Sequence, residues 1–188
     1  MAKKTARKSS SRSLTPSRRP AGSSTRRPGR STRSAIHLNR ILVPVDFSDH
    51  SKRALKYAIP FAEQFAASID LIYIVEPTMY PADFSFGQVG FPNVEDELRK
   101  RGADELDEMI GKEIAGRVPA RKIIRTGKPF YEIDQYAEET GIDLIIISTH
   151  GHTGVDHILF GSTAEKVVRH APCPVLVVRP GGREFIKL

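Results

Sequence analysis

Residues 143–179 read DLIIISTHGHTGVDHILFGSTAEKVVRHAPCPVLVVR, and their pattern decides the fold. DLIIIS (Asp143 to Ser148) is short, apolar and rich in β-branched side chains, which is the composition of a strand buried on both faces of a parallel sheet. A loop carrying Gly151, Gly154 and Gly161 follows. Helical sequence then runs from about Ser162 to His170, and PVLVVR (Pro174 to Arg179) supplies another apolar strand. Two buried strands separated by a helix belong to a crossover unit and lie parallel.

The same alternation extends upstream. ILVPV (Ile41 to Val45) reads as a first strand, and Ser48 is an N-cap for a helix whose Ala54, Leu55, Ala58, Phe61, Ala62 and Phe65 recur at helical spacing. Pro60 is placed to bend that helix. IDLIYIV (Ile69 to Val75) is a second strand, and the loop from Glu76 to about Asn93 is long enough to act as a lid. A charged amphipathic helix from Glu95 to about Gly116 is marked by Leu98, Leu106, Met109 or Ile110, and Ile114. RKIIRT forms a third strand, Pro129 suits the first turn of a third helix with Phe130, Ile133 and Ala137 facing inward, and Gly141 closes it.

Five strands alternating with four helices predict an α/β fold: an open five-stranded parallel sheet, Rossmann-like, with helices on both faces. In strand order 3-2-1-4-5 the winding reverses between strands one and four, and ligands bind past the carboxyl ends there. Asp46 lies on one side of that crevice, and Ser148, Thr149, His150 and Gly151 lie on the other. A carboxylate at Asp46 can accept a hydrogen bond from a ribose hydroxyl or an adenine amino group. Gly151 and Gly154 let backbone approach a ligand, while Gly161, Ser162 and Thr163 open a helix whose free N–H groups and dipole favour an anion such as a phosphate chain.

Along nearly all of Arg40 to Arg179 the chain resembles the universal stress protein family. The resemblance rests on ILVPVDFSDHSKRALKYA, on GKPFYEIDQYAEETGIDLIIISTHG and on GHTGVDHILFGSTAEKVVRHAPCPVLVVRP. Nucleotide-binding members carry G-x2-G-x9-G-[ST], which aligns here as Ser148, Gly151, Gly161 and Ser162, so a Cβ and hydroxyl replace the first glycine. The resemblance implies a fold of the adenine nucleotide alpha hydrolase type. It also implies ATP as ligand, with Mg²⁺ on its phosphates, and a homodimer paired through the fifth strands. By the same resemblance Pro44, Asp46 and Ile74 or Val75 line an adenosine pocket, and Gly151, Gly161, Ser162 and Thr163 hold phosphates. Val45, Ser148, His150, His152 and Gly154 complete the candidate set.

Charge separates the chain into unlike regions. Residues 1–40 hold twelve Lys or Arg and no Asp or Glu, leaving 17 basic residues against all 22 acids in the remainder, a formal charge of −5. The first segment is dominated by Ser, Thr, Pro, Gly and Arg, too poor in apolar side chains to offset ordering entropy. We therefore expect a disordered basic tail over residues 1–38, a domain over 39–181 and a short extension over 182–188. Three roles stay open for the tail: a solubilising or weakly polyanion-binding extension, an organellar transit peptide, or a nucleic-acid-binding arm. Its prolines and glycines oppose a transit helix, and it lacks aromatic residues for base stacking.

Several classes are disfavoured. No GxxxxGK[ST] loop occurs, so fast phosphoryl transfer is not expected, and any ATPase activity should be slow. His150, His152 and His157 lack a second cluster of ligating residues. Cys173, the single cysteine, sits between prolines and reads as a packed thiol; one cysteine and no long apolar run suit a cytoplasmic, non-membrane protein. The expected function is a stress-response or signalling protein that acts through nucleotide occupancy. The alternative is a scaffold of the same fold with an unused pocket.

Overall fold

The computed structural model describes residues 36–77, 93–149 and 161–179. Residues 1–35 of the expected disordered tail, most of the expected lid, the loop 150–160 and the expected C-terminal extension lie outside the described residues, while Leu38, expected in the tail, is buried in the core. In chain order the elements are β1 (Arg40–Pro44), α1 (Asp49–Phe65), β2 (Ser68–Val75), α2 (Asn93–Met109), a π-helical turn (Ile110–Ile114), β3 (Ala120–Thr126), α3 (Pro129–Thr140), β4 (Leu144–Ser148), α4 (Ser162–His170) and β5 (Val175–Val178). The strands form one parallel sheet in the order β3-β2-β1-β4-β5.

Successive strand residues point to opposite faces, so the continuous apolar runs divide between two cores. Ile41 and Val43 pack under α1 and α2, while Leu42 packs under α3 and α4. All three are fully buried, each contributing on the order of 1.5–3 kcal/mol of hydrophobic stabilisation. This two-faced burial is why β1 and β4 carry no polar alternation.

Local chemistry sets the helix ends. The Ser48 hydroxyl oxygen accepts from the Ser51 N–H and caps α1, Pro129 opens α3, and Gly141 closes it in the left-handed region at φ 64°. The second helix begins at Asn93 and passes into the π turn, rather than running as one α-helix from Glu95. Met109 and Ile114 are both buried although five residues apart. An α-helix would splay them apart, and the wider π turn returns both to the sheet.

One acid interrupts the apolar run of β2. Asp70 is fully buried, and its carboxylate accepts from Arg121 Nε at 2.8 Å and Nη2 at 2.9 Å, from Arg40 Nη2 at 2.9 Å and from the Tyr136 hydroxyl at 3.0 Å. Arg40 also donates to the Thr140 carbonyl, tying the end of α3 to the start of β1. Burial, followed by the Asp70 charge, pushes the Tyr136 hydroxyl pKa up. This ionic knot stands toward the amino end of β2, where Asp70 pairs with Leu42 and Arg121.

Candidate functional site

Beyond the carboxyl ends of β1 and β4 lies a cleft of about 780 Å³, inside the range usual for small-molecule sites. The ends of β1, β2 and β4 form its floor, and the first turns of α1, α3 and α4 surround it. Pro44, Val45, Asp46, Ile74, Val75 and Ser148 line it from the strands, and Gly161, Ser162 and Thr163 line it from the start of α4. Nine sequence-derived candidates therefore share one cavity. The other four, His150, Gly151, His152 and Gly154, lie outside the described residues.

Asp46 is held by the turn that starts α1. Its Oδ1 accepts from the Ser48 N–H at 3.1 Å and from the Ser48 hydroxyl at 2.6 Å. The Asp46 N–H points to Ser51 Oγ at 3.4 Å, and the Ser51 hydroxyl donates to the Ser48 carbonyl at 3.0 Å. The carboxylate is thus fixed by the capping network of the helix that follows it.

Phe47 links these residues in an unusual conformation. Its φ is 66°, in the left-handed region, where a bulky side chain costs roughly 1–3 kcal/mol and persists only when its surroundings hold it. The ring lies against Tyr73, with centroids 4.7 Å apart and planes inclined at 44°. Burial pushes the Tyr73 hydroxyl pKa up, reinforced by the Glu105 carboxylate.

At the opposite wall, the Thr149 N–H donates to the Val178 carbonyl at 2.9 Å, and the Thr149 carbonyl accepts from the Gly161 N–H at 2.7 Å. The second bond draws the start of α4 onto the end of β4. Gly161 is the helix N-cap with φ −68° and ψ 153°, so glycine is not demanded there by backbone angle. The demand is spatial: a Cβ at Gly161 would stand 3.2 Å from the Thr149 oxygen. The N–H groups that begin an α-helix have no partner within it, and with the dipole they form an anion-binding end. Ser162 and Thr163 occupy that position.

Sequence reasoning missed Phe47, Tyr73 and the α2 residues Arg101, Gly102 and Glu105, all of which line the cleft. Tyr73 was detectable as the one large polar-tipped residue in the second half of β2. The reach of α2 was not, because it depends on how the helix crosses the sheet. Cys173 is partly buried against the α3/α4 core, and burial pushes its thiol pKa up, which suits packing rather than nucleophilic chemistry. Among the described residues, no group of three or more His, Cys, Asp or Glu is arranged to hold a metal, and no helix is long and apolar enough to cross a membrane.

Comparison with known proteins gives this geometry a family. The profile of the universal stress protein family matches residues 37–179. A universal stress protein of Methanocaldococcus jannaschii is 34% identical over 148 residues, which cover 77% of this chain and 84% of that protein. The solved universal stress protein UspA of Lactobacillus plantarum is 28% identical with a TM-score of 0.66, covering 77% of this chain and all of its own. Two more distant structures share the fold. One is a universal stress protein in complex with cAMP (23% identity, TM-score 0.57, 74% of this chain and 96% of that one). The other is a universal stress protein of Archaeoglobus fulgidus in complex with dAMP (19% identity, TM-score 0.53, 76% of this chain and 98% of that one). With the profile matched over the whole sheet and the strand order in agreement, this chain belongs to the universal stress protein family.

Proposed function

We propose that this protein binds ATP or a related adenine nucleotide in the cleft beyond β1 and β4, and acts in stress response or signalling through occupancy, with at most slow hydrolysis. The observation that carries this reading is that Asp46 and the Gly161-Ser162-Thr163 helix start face one cavity at the point where the winding reverses. Asp46 accepts from the nucleoside. Pro44, Val45, Ile74 and Val75 supply its apolar bed, and the start of α4 receives the phosphates. Ser148 borders the ribose with a hydroxyl that can exchange hydrogen bonds with it. His150, Gly151, His152 and Gly154 extend the phosphate side. Mg²⁺ is carried by the phosphates rather than by a protein ligand set. Support also comes from the cAMP and dAMP complexes of related folds.

The reading extends to assembly and place. Residues 39–181 act as the nucleotide-binding domain, 182–188 as an extension and 1–38 as a basic tail that contacts nucleic acid or acidic partners in a salt-sensitive way. The β3 edge carries Arg121, Lys122 and Arg125, paired to Asp70, Asp107, Glu132 and Glu139. The β5 edge offers Val175, Leu176 and Val177, partly exposed and uncharged. A charged edge resists strand pairing and an apolar one invites it, which supports a homodimer through β5 as part of this reading. A cytoplasmic setting suits this chemistry.

Mass spectrometry of small molecules released from protein purified without added nucleotide, paired with calorimetric titration of ATP, tests the reading. An adenine nucleotide in the released fraction and saturable binding weakened by Asp46→Ala are expected. An empty fraction with no heat and no thermal shift from ATP would instead make the protein a scaffold of the same fold.

A further inference from the structure

Between Asp46 and α2 runs a continuous stack that the nucleotide chemistry does not use. Phe47, the strained residue next to Asp46, lies against Tyr73 of β2. Tyr73 in turn sits on Gly102 of α2, so closely that a Cβ there would fall 2.5 Å from its Cδ1 and 2.7 Å from its Cε1. No side chain larger than hydrogen fits between helix and ring as they stand. Asp46, Phe47, Tyr73 and Gly102 all line the cleft.

We propose that Phe47 is a positioning residue: its ring, clamped by Tyr73 on Gly102, keeps the chain in the left-handed kink that presents the Asp46 carboxylate to the ligand. The reason is conformational. A phenylalanine free of its neighbours relaxes from φ 66° toward negative φ. That rotation lies between Asp46 and Ser48, so it breaks the two bonds that Ser48 donates to Asp46 Oδ1. The ring contact opposes the rotation, and the glycine on α2 allows the contact. The seat of α2 therefore sets the pose of an acid in the turn between β1 and α1. For ligand binding this inference rests on the proposed nucleotide site; the coupling itself belongs to the ligand-free protein.

The test uses the full chain with Phe47→Ala, Phe47→Tyr, Gly102→Ala and Asp46→Ala. Binding of ATP, 2′-deoxy-ATP and inosine triphosphate is measured beside hydrogen exchange of the Ser48 amide without ligand. Phe47→Ala and Gly102→Ala should weaken ATP about tenfold, the usual cost of misplacing one charged hydrogen-bonding group. They should also lose whichever selectivity Asp46→Ala loses, ribose or base, and Phe47→Tyr should restore it. In the same two variants the Ser48 amide should exchange about tenfold faster with global stability still in place. Unchanged exchange at Ser48 in both variants overturns the proposal, as does retained selectivity where Asp46→Ala loses it. If the wild type binds no nucleotide the proposed function falls, and the exchange arm alone then decides the stack.

Discussion

Replacing Gly161 with alanine isolates the proposed phosphate end of the cleft. Backbone angles at Gly161 are open to any residue, so the perturbation is purely one of space. The new methyl group would press on the Thr149 carbonyl oxygen at 3.2 Å, and the start of α4 must retreat by a few tenths of an ångström. Retreat stretches the 2.7 Å bond from the Gly161 N–H to that same oxygen. Alanine is a poorer N-cap than glycine by ~0.5–1 kcal/mol, and weakening one backbone hydrogen bond removes part of a further ~1 kcal/mol. The expected loss of stability is ~1–2 kcal/mol. The N–H groups at the start of α4 move with the helix, and weakening one hydrogen bond to a charged phosphate, ~1.5 kcal/mol, should loosen ATP about tenfold. Calorimetric titration with ATP and with adenosine, alongside thermal unfolding, separates the effects, because adenosine has no phosphate to lose. Unchanged ATP affinity in a destabilised variant, or equal losses for ATP and adenosine, would refute the placement of phosphates on α4.

Three other outcomes are expected. Asp70→Ala leaves two guanidinium groups facing one another; Arg40 and Arg121 keep 25% and 53% exposure, so the penalty falls below that of a fully buried broken pair, to ~2–3 kcal/mol. Thermal unfolding should show a midpoint drop of roughly 5–10 °C, with ATP affinity unaltered. Asp134 has a buried Oδ1 without a hydrogen-bond partner, and burial raises its pKa from 3.8 to about 6, partly opposed by His170. Because the folded state binds this proton more tightly, stability is highest below the unfolded pKa and falls as pH rises from about 4 to about 6. Asp134→Asn should therefore stabilise by ~1 kcal/mol at about pH 8 and by nothing at about pH 4, after allowance for solvent screening; a pH-independent difference would refute this. Deleting residues 1–34 should abolish a salt-sensitive mobility shift with nucleic acid and leave ATP binding intact.

Much of this architecture is legible in one dimension because the physics behind it is local. Runs such as Ile41 to Val45 and Leu144 to Ile147 carry no polar residue, which only a strand covered on both faces tolerates. Ser48, Pro129 and Gly141 mark helix ends through their own hydrogen bonds and backbone preferences, and the structure places them there. Handed crossovers leave few strand orders open, and the order 3-2-1-4-5 directs attention to Asp46 and to the segment after Ser148.

What stayed hidden depends on side chains that meet only after the sheet is assembled. Asp70 reads as a polar interruption in β2, and its two arginines and tyrosine come from three other elements. The π turn is invisible until Met109 and Ile114 must both reach the core. Gly161 reads in sequence as the opening of an anion-binding helix, yet the need for glycine there is set by the Thr149 carbonyl across the loop. Phe47 gives no sign in sequence of a left-handed backbone, since its strain is offset by Tyr73 and, through it, by the absence of a side chain at Gly102. Periodicity and capping act between near neighbours and can be read along the chain, whereas close contacts between distant residues arise only when packing brings them together.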